Sequence, residues 1–134
     1  MTKLDTKDKT ILLVDDDEDF LFQMKYKVES FGFKVITAET QKEAEKILTE
    51  VQPDLAIFDL MMEKEDSGFI LSYKAKKIYP NLPIIIATSV KSETGRGFGL
   101  TSEEEKNWIK ADLYLDKGIR ADQLEREIKN LLKL

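Results

Sequence analysis

The sequence contains no histidine and no cysteine. Without histidine there can be no Ser-His-Asp triad, no imidazole metal ligand and no phosphohistidine made on this chain. Without cysteine there are no disulfides, no thiolate nucleophile and no cysteine metal site. Long apolar runs are also missing. None approaches the roughly 20 residues needed to span a bilayer, which excludes membrane insertion. The start, Met1-Thr2-Lys3-Leu4-Asp5, lacks an apolar signal region, so a cytoplasmic location is expected. Positive charge is in deficit too: 21 Lys and Arg stand against 26 Asp and Glu, a net charge of -5. Broad nucleic-acid binding depends on clustered Lys and Arg that neutralise phosphates, so no direct nucleic-acid partner is expected.

What is present fits one domain with one core. The 134 residues are 42% hydrophobic and 35% charged, the composition of a soluble globular protein. Short apolar runs alternate with helical periodicity in five pairs, which argues for βα units around a parallel sheet. The runs are Ile11 to Val14, Lys34 to Ala38, Leu55 to Asp59, Ile84 to Thr88 and Leu113 to Asp116. A first helix is expected from about Asp17 to Phe31, with Phe20, Leu21, Met24, Val28 and Phe31 on its inner face and Gly32 ending it. A second begins at Thr40, with Glu43 as capping-box partner, Ala44, Ile47, Leu48 and Val51 inward, and Pro53 as its stop. A third runs from Gly68 to Tyr79 on Phe69, Ile70, Tyr73 and Ile78, closed by Pro80 and Pro83. Gly95, Gly97 and Gly99 indicate a long loop leading to a helix at about Ser102 to Ala111. The last helix spans Ala121 to Leu132 through Leu124, Ile128, Leu131 and Leu132. Residues 1 to 9 read as a flexible tail.

Chemistry collects at the strand ends. Asp15-Asp16-Asp17 follows the first run, Asp59 ends the third, Thr88 ends the fourth and Lys117 follows the fifth. In open α/β sheets ligands sit outside the carboxyl ends of the strands, so this edge would carry acids, a hydroxyl and one ammonium. Gathered carboxylates repel one another unless a cation neutralises them, and an oxygen-only set favours Mg²⁺. A carboxylate can attack phosphorus when metal and Lys stabilise the transferring group, so Asp59 is the candidate nucleophile and Lys117 its partner. Each signal has a plainer reading: acids at a helix start serve as caps, a strand-end Lys is often a solvated charge, and a strand-end Thr a turn former. Their order along successive strands raises the functional reading.

Over nearly its whole length the chain resembles the receiver domain of bacterial two-component response regulators. The residues that carry the resemblance are Val14-Asp15-Asp16-Asp17, Phe58-Asp59-Leu60-Met61-Met62, Ala87-Thr88-Ser89 and Leu115-Asp116-Lys117. It implies a flavodoxin-like, doubly wound five-stranded parallel sheet in order 2-1-3-4-5, with helices on both faces. It also implies roles. Asp59 is the phosphoacceptor, and Asp15, Asp16, Asp59 and the backbone carbonyl of Met61 hold Mg²⁺. Lys117 contacts the phosphoryl group, Thr88 reports it, and Tyr114 is the switch aromatic; Asp17 ranks as a helix cap. The implied partners are a histidine kinase or phosphotransfer protein and a downstream protein target. The expectation is a stand-alone receiver, monomeric or weakly dimeric, without an output domain.

Three departures from the family pattern stand out. Glu63 and a slightly longer loop, Lys64 to Gly68, replace a usual proline turn. Gly118 stands where the family has a proline whose bond is generally cis. A non-proline cis bond costs about 2.5 to 4 kcal/mol, so either packing offsets that cost or Lys117 reaches the site on a different backbone. The stretch between Thr88 and Lys117 is long, and its Phe98, Leu100 and Trp108 offer apolar anchors for a partner. Met61 and Val90 occupy positions that, in the resembled family, tune how readily water attacks the phosphoryl group; both are apolar and cannot orient water, which implies slow hydrolysis. Two other readings stand beside the receiver. Asp15-x-Asp17 after an apolar strand suggests a phosphohydrolase of the haloacid dehalogenase type, although Glu18-Asp19 follows where a Thr or Val belongs. A pseudo-receiver would bind partners without phosphorylation, although the acids are intact.

Overall fold

Each of the five apolar runs forms a strand, and all five lie parallel in one sheet. They are β1 (Thr10–Val14), β2 (Lys34–Ala38), β3 (Leu55–Asp59), β4 (Ile84–Thr88) and β5 (Leu113–Asp116), in the spatial order β2-β1-β3-β4-β5. The computed structural model describes residues 9–60, 67–88 and 111–133. Among them are four helices: α1 (Glu18–Ser30), α2 (Gln41–Glu50), α3 (Ser67–Ile78) and α4 (Ala121–Leu132). Apart from Ala111, the helix expected at 102 to 111 lies outside the described residues. So do the glycine-containing loop, Met61, Val90, Phe98, Leu100, Trp108 and the tail to residue 8. No helix among the described residues is long and apolar enough to cross a membrane.

Side chains alternate across a strand, so a sheet covered on both faces must be apolar at every position. That is why the central strands read as unbroken runs. Leu12, Val14, Ala56, Phe58, Ile84 and Ile86 pack with Ala44, Leu48, Leu71 and Ala75, which come from α2 and α3. Ile11, Leu13, Leu55, Ile57, Ile85 and Ala87 point the other way, toward Leu21, Met24, Val28, Leu124 and Ile128 of α1 and α4. Complete burial of each large apolar side chain contributes about 1.5 to 3 kcal/mol, so the two cores fix the register of the sheet.

The helix ends follow their sequence signals, with informative exceptions. Asp17 caps α1, accepting from the amides of Asp19 and Phe20 at 3.1 and 3.2 Å. Gly32, at φ 103°, ends the helix in the backbone region that glycine enters without strain. Thr40 Oγ1 accepts from the Glu43 amide at 3.0 Å, but Glu43 reaches back to the amide of Glu39 rather than Thr40. Three residues expected inward are exposed. Val51, 39% exposed, is past the last turn of α2 in extended backbone, where helical periodicity no longer applies. Tyr73 and Ile78 are about half exposed, because α3 buries Gly68, Leu71, Ser72 and Ala75 instead. Glycine at 68 is a steric requirement. A Cβ there would stand 2.5 Å from the Asp59 carbonyl oxygen and 2.8 Å from Leu60 Cα, so α3 starts directly against the end of β3.

At the edge where the strands begin, two aspartates tie neighbours together. Asp54 accepts from the Thr10 amide at 2.7 Å, while its own amide donates to the Thr10 carbonyl. Asp112 repeats the device at Ile84 and adds an ion pair with Lys76 at 2.8 Å.

Candidate functional site

β1 pairs with β2 on one side and β3 on the other, so the winding reverses at β1 and leaves a crevice between the ends of β1 and β3. Asp15 follows β1 directly and Asp59 is the last residue of β3. The register continues across the sheet, Asp59 opposite Ala87 and Thr88 opposite Asp116. Lys117 comes next, its amide donating to the Thr88 carbonyl at 2.9 Å. Strand pairing alone therefore delivers the acids, the hydroxyl and the ammonium to one edge.

The side chains converge on the crevice. Lys117 Nζ lies 2.8 Å from Asp15 Oδ2 and 3.1 Å from Asp59 Oδ1, bridging two carboxylates that are almost fully buried. The other Asp15 oxygen accepts from the Asp17 amide at 2.9 Å. Asp16 is exposed, yet carboxylate oxygens of Asp15, Asp16 and Asp59 lie within 4.8 Å of one another. One ammonium does not balance this charge. Burial pushes the Asp59 carboxyl up to about 6, the charge of Asp15 adds to that push, and Lys117 opposes it. Burial alone would lower the Lys117 pKa, but Asp15 and Asp59 outweigh it and raise it. A hard divalent cation suits this set, because it supplies the missing charge and prefers oxygen donors.

Lys117 reaches the acids without a cis bond: no described peptide bond is cis. Asp116 shapes the turn instead, its carboxylate accepting from the Gly118 amide and its carbonyl from the Ile119 amide, each at 3.0 Å. The sequence held no flag for that role beyond an Asp two residues before a glycine, a common turn signal. Nor did it single out Phe20, whose ring centroid lies 4.7 Å from the Lys117 ammonium. Helical periodicity assigned Phe20 only to the core. Tyr114 is half-buried in β5; its hydroxyl has no hydrogen-bond partner among the described residues, and burial pushes it up to about 12. Thr88 sits at the end of β4 as expected, while Met61 lies outside the described residues. Asp17, the second acid of the hydrolase reading, is exposed and engaged as the α1 cap.

A doubly wound parallel sheet with helices on both faces and an acid cluster at its switch point defines a flavodoxin-like receiver fold. The chain belongs to the response regulator receiver domain family, whose profile matches residues 11–129. It is 30% identical over 125 residues to the alkaline phosphatase synthesis transcriptional regulatory protein PhoP of Bacillus subtilis, covering 93% of this chain and 49% of that protein. It is 32% identical over 127 residues to the transcriptional regulatory protein GltR of Pseudomonas aeruginosa, with the same coverage of 93% and 49%. The chain thus spans about half the length of these curated relatives. A response regulator receiver domain protein from Clostridium thermocellum matches with a TM-score of 0.78 at 29% identity, over 93% of this chain and 94% of that one. The response regulator TrrA of Thermotoga maritima, solved in complex with Mg(2+)-BeF, matches with a TM-score of 0.73 at 26% identity, over 92% and 98%.

Proposed function

We propose that Asp59 accepts a phosphoryl group from the phosphohistidine of a partner histidine kinase or phosphotransfer protein. A carboxylate oxygen attacks phosphorus in line, the phosphorus–nitrogen bond breaks with its electron pair returning to the imidazole, and an acyl phosphate forms. The donor imidazole belongs to another molecule, since this chain has no histidine. The observation that carries the reading is the Lys117 ammonium between Asp15 and Asp59 at the switch point, where it can pass to the phosphoryl oxygens. Asp15, Asp16 and Asp59, with the Met61 carbonyl that the resemblance implies, would hold Mg²⁺, which would offset the charge of the carboxylates and of the phosphoryl oxygens. Thr88 and Tyr114 pass the change to a downstream protein target by contact. The capping role of Asp17 weighs against the hydrolase reading, and the intact acids with their ammonium weigh against the pseudo-receiver.

The test is acetyl phosphate with Mg²⁺ and intact-mass detection. The wild type should gain one phosphoryl group and Asp59→Asn none, while Asp16→Ala weakens Mg²⁺ affinity with the fold kept. Full labelling of Asp59→Asn would remove that residue from its role, and no labelling of the wild type would favour the pseudo-receiver. Turnover of a phosphomonoester would favour the hydrolase. The phosphoaspartate should be long-lived, and Met61→Glu or Val90→Lys should shorten its lifetime; no faster dephosphorylation in either would argue against that.

A further inference from the structure

We infer that Phe20 is a positioning residue for Lys117, its ring holding the ammonium in the cleft between Asp15 and Asp59; the functional consequence rests on the reading of Asp59 as phosphoacceptor. The backbone of Lys117 is fixed by its amide bond to the Thr88 carbonyl and by the two bonds that Asp116 receives just beyond it. The side chain is another matter, since a lysine ammonium rides on a flexible four-carbon stem and is readily drawn into water. Among the described residues the contacts that oppose this are the two carboxylates and the Phe20 ring at 4.7 Å.

The ring itself is well anchored. Phe20 lies in the first turn of α1, its amide bonded to the Asp17 cap at 3.2 Å, and its side chain packs against the core formed by Leu21, Met24 and Ile57. An aromatic face carries negative potential, so it attracts the ammonium and gives nothing to the carboxylates or to a metal among them. That attraction is also weakly directional. The ammonium can move from Asp15 toward oxygens arriving on Asp59 without leaving the ring face.

Two readouts test this, and the first needs no phosphorylation. In ¹H–¹³C NMR of the wild-type protein, the Lys117 Cε methylene should show a ring-current shift that survives in Phe20→Tyr and disappears in Phe20→Leu. The second is beryllofluoride affinity at saturating Mg²⁺. Phe20→Leu should weaken it about two- to ten-fold, Phe20→Tyr should match the wild type, and neither should weaken Mg²⁺ affinity. In a Lys117→Ala background, Phe20→Leu should cause no further loss. The inference is overturned by an unshifted methylene in the wild type, by Phe20→Tyr as weak as Phe20→Leu, or by an equal loss in the Lys117→Ala background. A wild type that shows the shift but binds no beryllofluoride would uphold the placement of Lys117 and instead count against the phosphoacceptor reading.

Discussion

At the edge of the sheet where the strands begin, Asp54 and Asp112 each receive a backbone amide from the neighbouring strand. At the opposite edge, Asp15 and Asp59 face each other across a crevice and share one ammonium. The four side chains are chemically identical, and local donors set their different fates. A carboxylate that accepts a strand-end amide satisfies a group that would otherwise be stranded, so it works as a structural tie. Two buried carboxylates placed at adjacent strand ends keep a surplus of negative charge, so they work as a receptor for positive charge at the expense of the empty fold.

The comparison breaks first if the ties turn out to be dispensable. Asp112→Ala and Asp54→Ala should each destabilise the protein by about 1 to 3 kcal/mol, because each leaves a partly buried amide without its acceptor. Asp112→Ala should cost more, since the Lys76 ion pair goes with it. Urea denaturation gives both values, and unchanged midpoints would dissolve the distinction between the two edges.

The opposite sign is expected at the receptor edge. With a folded pKa of about 6 against roughly 4 in the unfolded chain, Asp59 favours the folded state in its protonated form. Its contribution is complete below about pH 4 and is lost as the pH rises through about 6. Asp59→Asn should therefore stabilise the metal-free protein by on the order of 2 to 3 kcal/mol at pH 7 and hardly at all at pH 4. A loss of stability at pH 7 would mean that Asp59 is a tie like Asp54.

Positive charge from outside should sharpen the contrast. Mg²⁺ at ten times its Kd should add about 1.4 kcal/mol to wild-type stability, and the same concentration should add less to Asp16→Ala. An equal gain in both variants would place the ion elsewhere. The smallest effect belongs to an acid at neither edge: Glu45, paired with Lys74 at 3.0 Å in contact with solvent, should lose about 0.5 kcal/mol or less as Glu45→Gln.

The strands were legible because burial on both faces erases the polar half of the alternation, leaving runs such as Ile84 to Ala87 that only a covered sheet tolerates. The acid edge was legible for the same reason, since polar residues after such a run mark where it leaves the core. Tyr73 and Ile78 misled because α3 meets the sheet through Leu71 together with Gly68, Ser72 and Ala75, small or polar residues whose burial hydrophobicity does not signal. Phe20 and Asp116 went unread for a different reason. An aromatic on an inner helix face and an Asp in a turn are ordinary in any fold, and only their distances to Lys117 and the Gly118 amide give them a part in the site.

The contact of Gly68 with the end of β3 bears on how this chain tolerates insertion and deletion. The Gly68 amide donates to the Leu60 carbonyl at 2.9 Å, and the absent side chain lets the two backbones touch. The residues between them are thus strung from a closed clasp. Adding one residue to such a span raises the entropy of closure by only about 0.1 kcal/mol, far less than the clasp is worth. Length can drift there while Asp59 and the first turn of α3 stay in place. A substitution at Gly68, by contrast, would prise the clasp open, so the loop can change its length more freely than it can change that one residue.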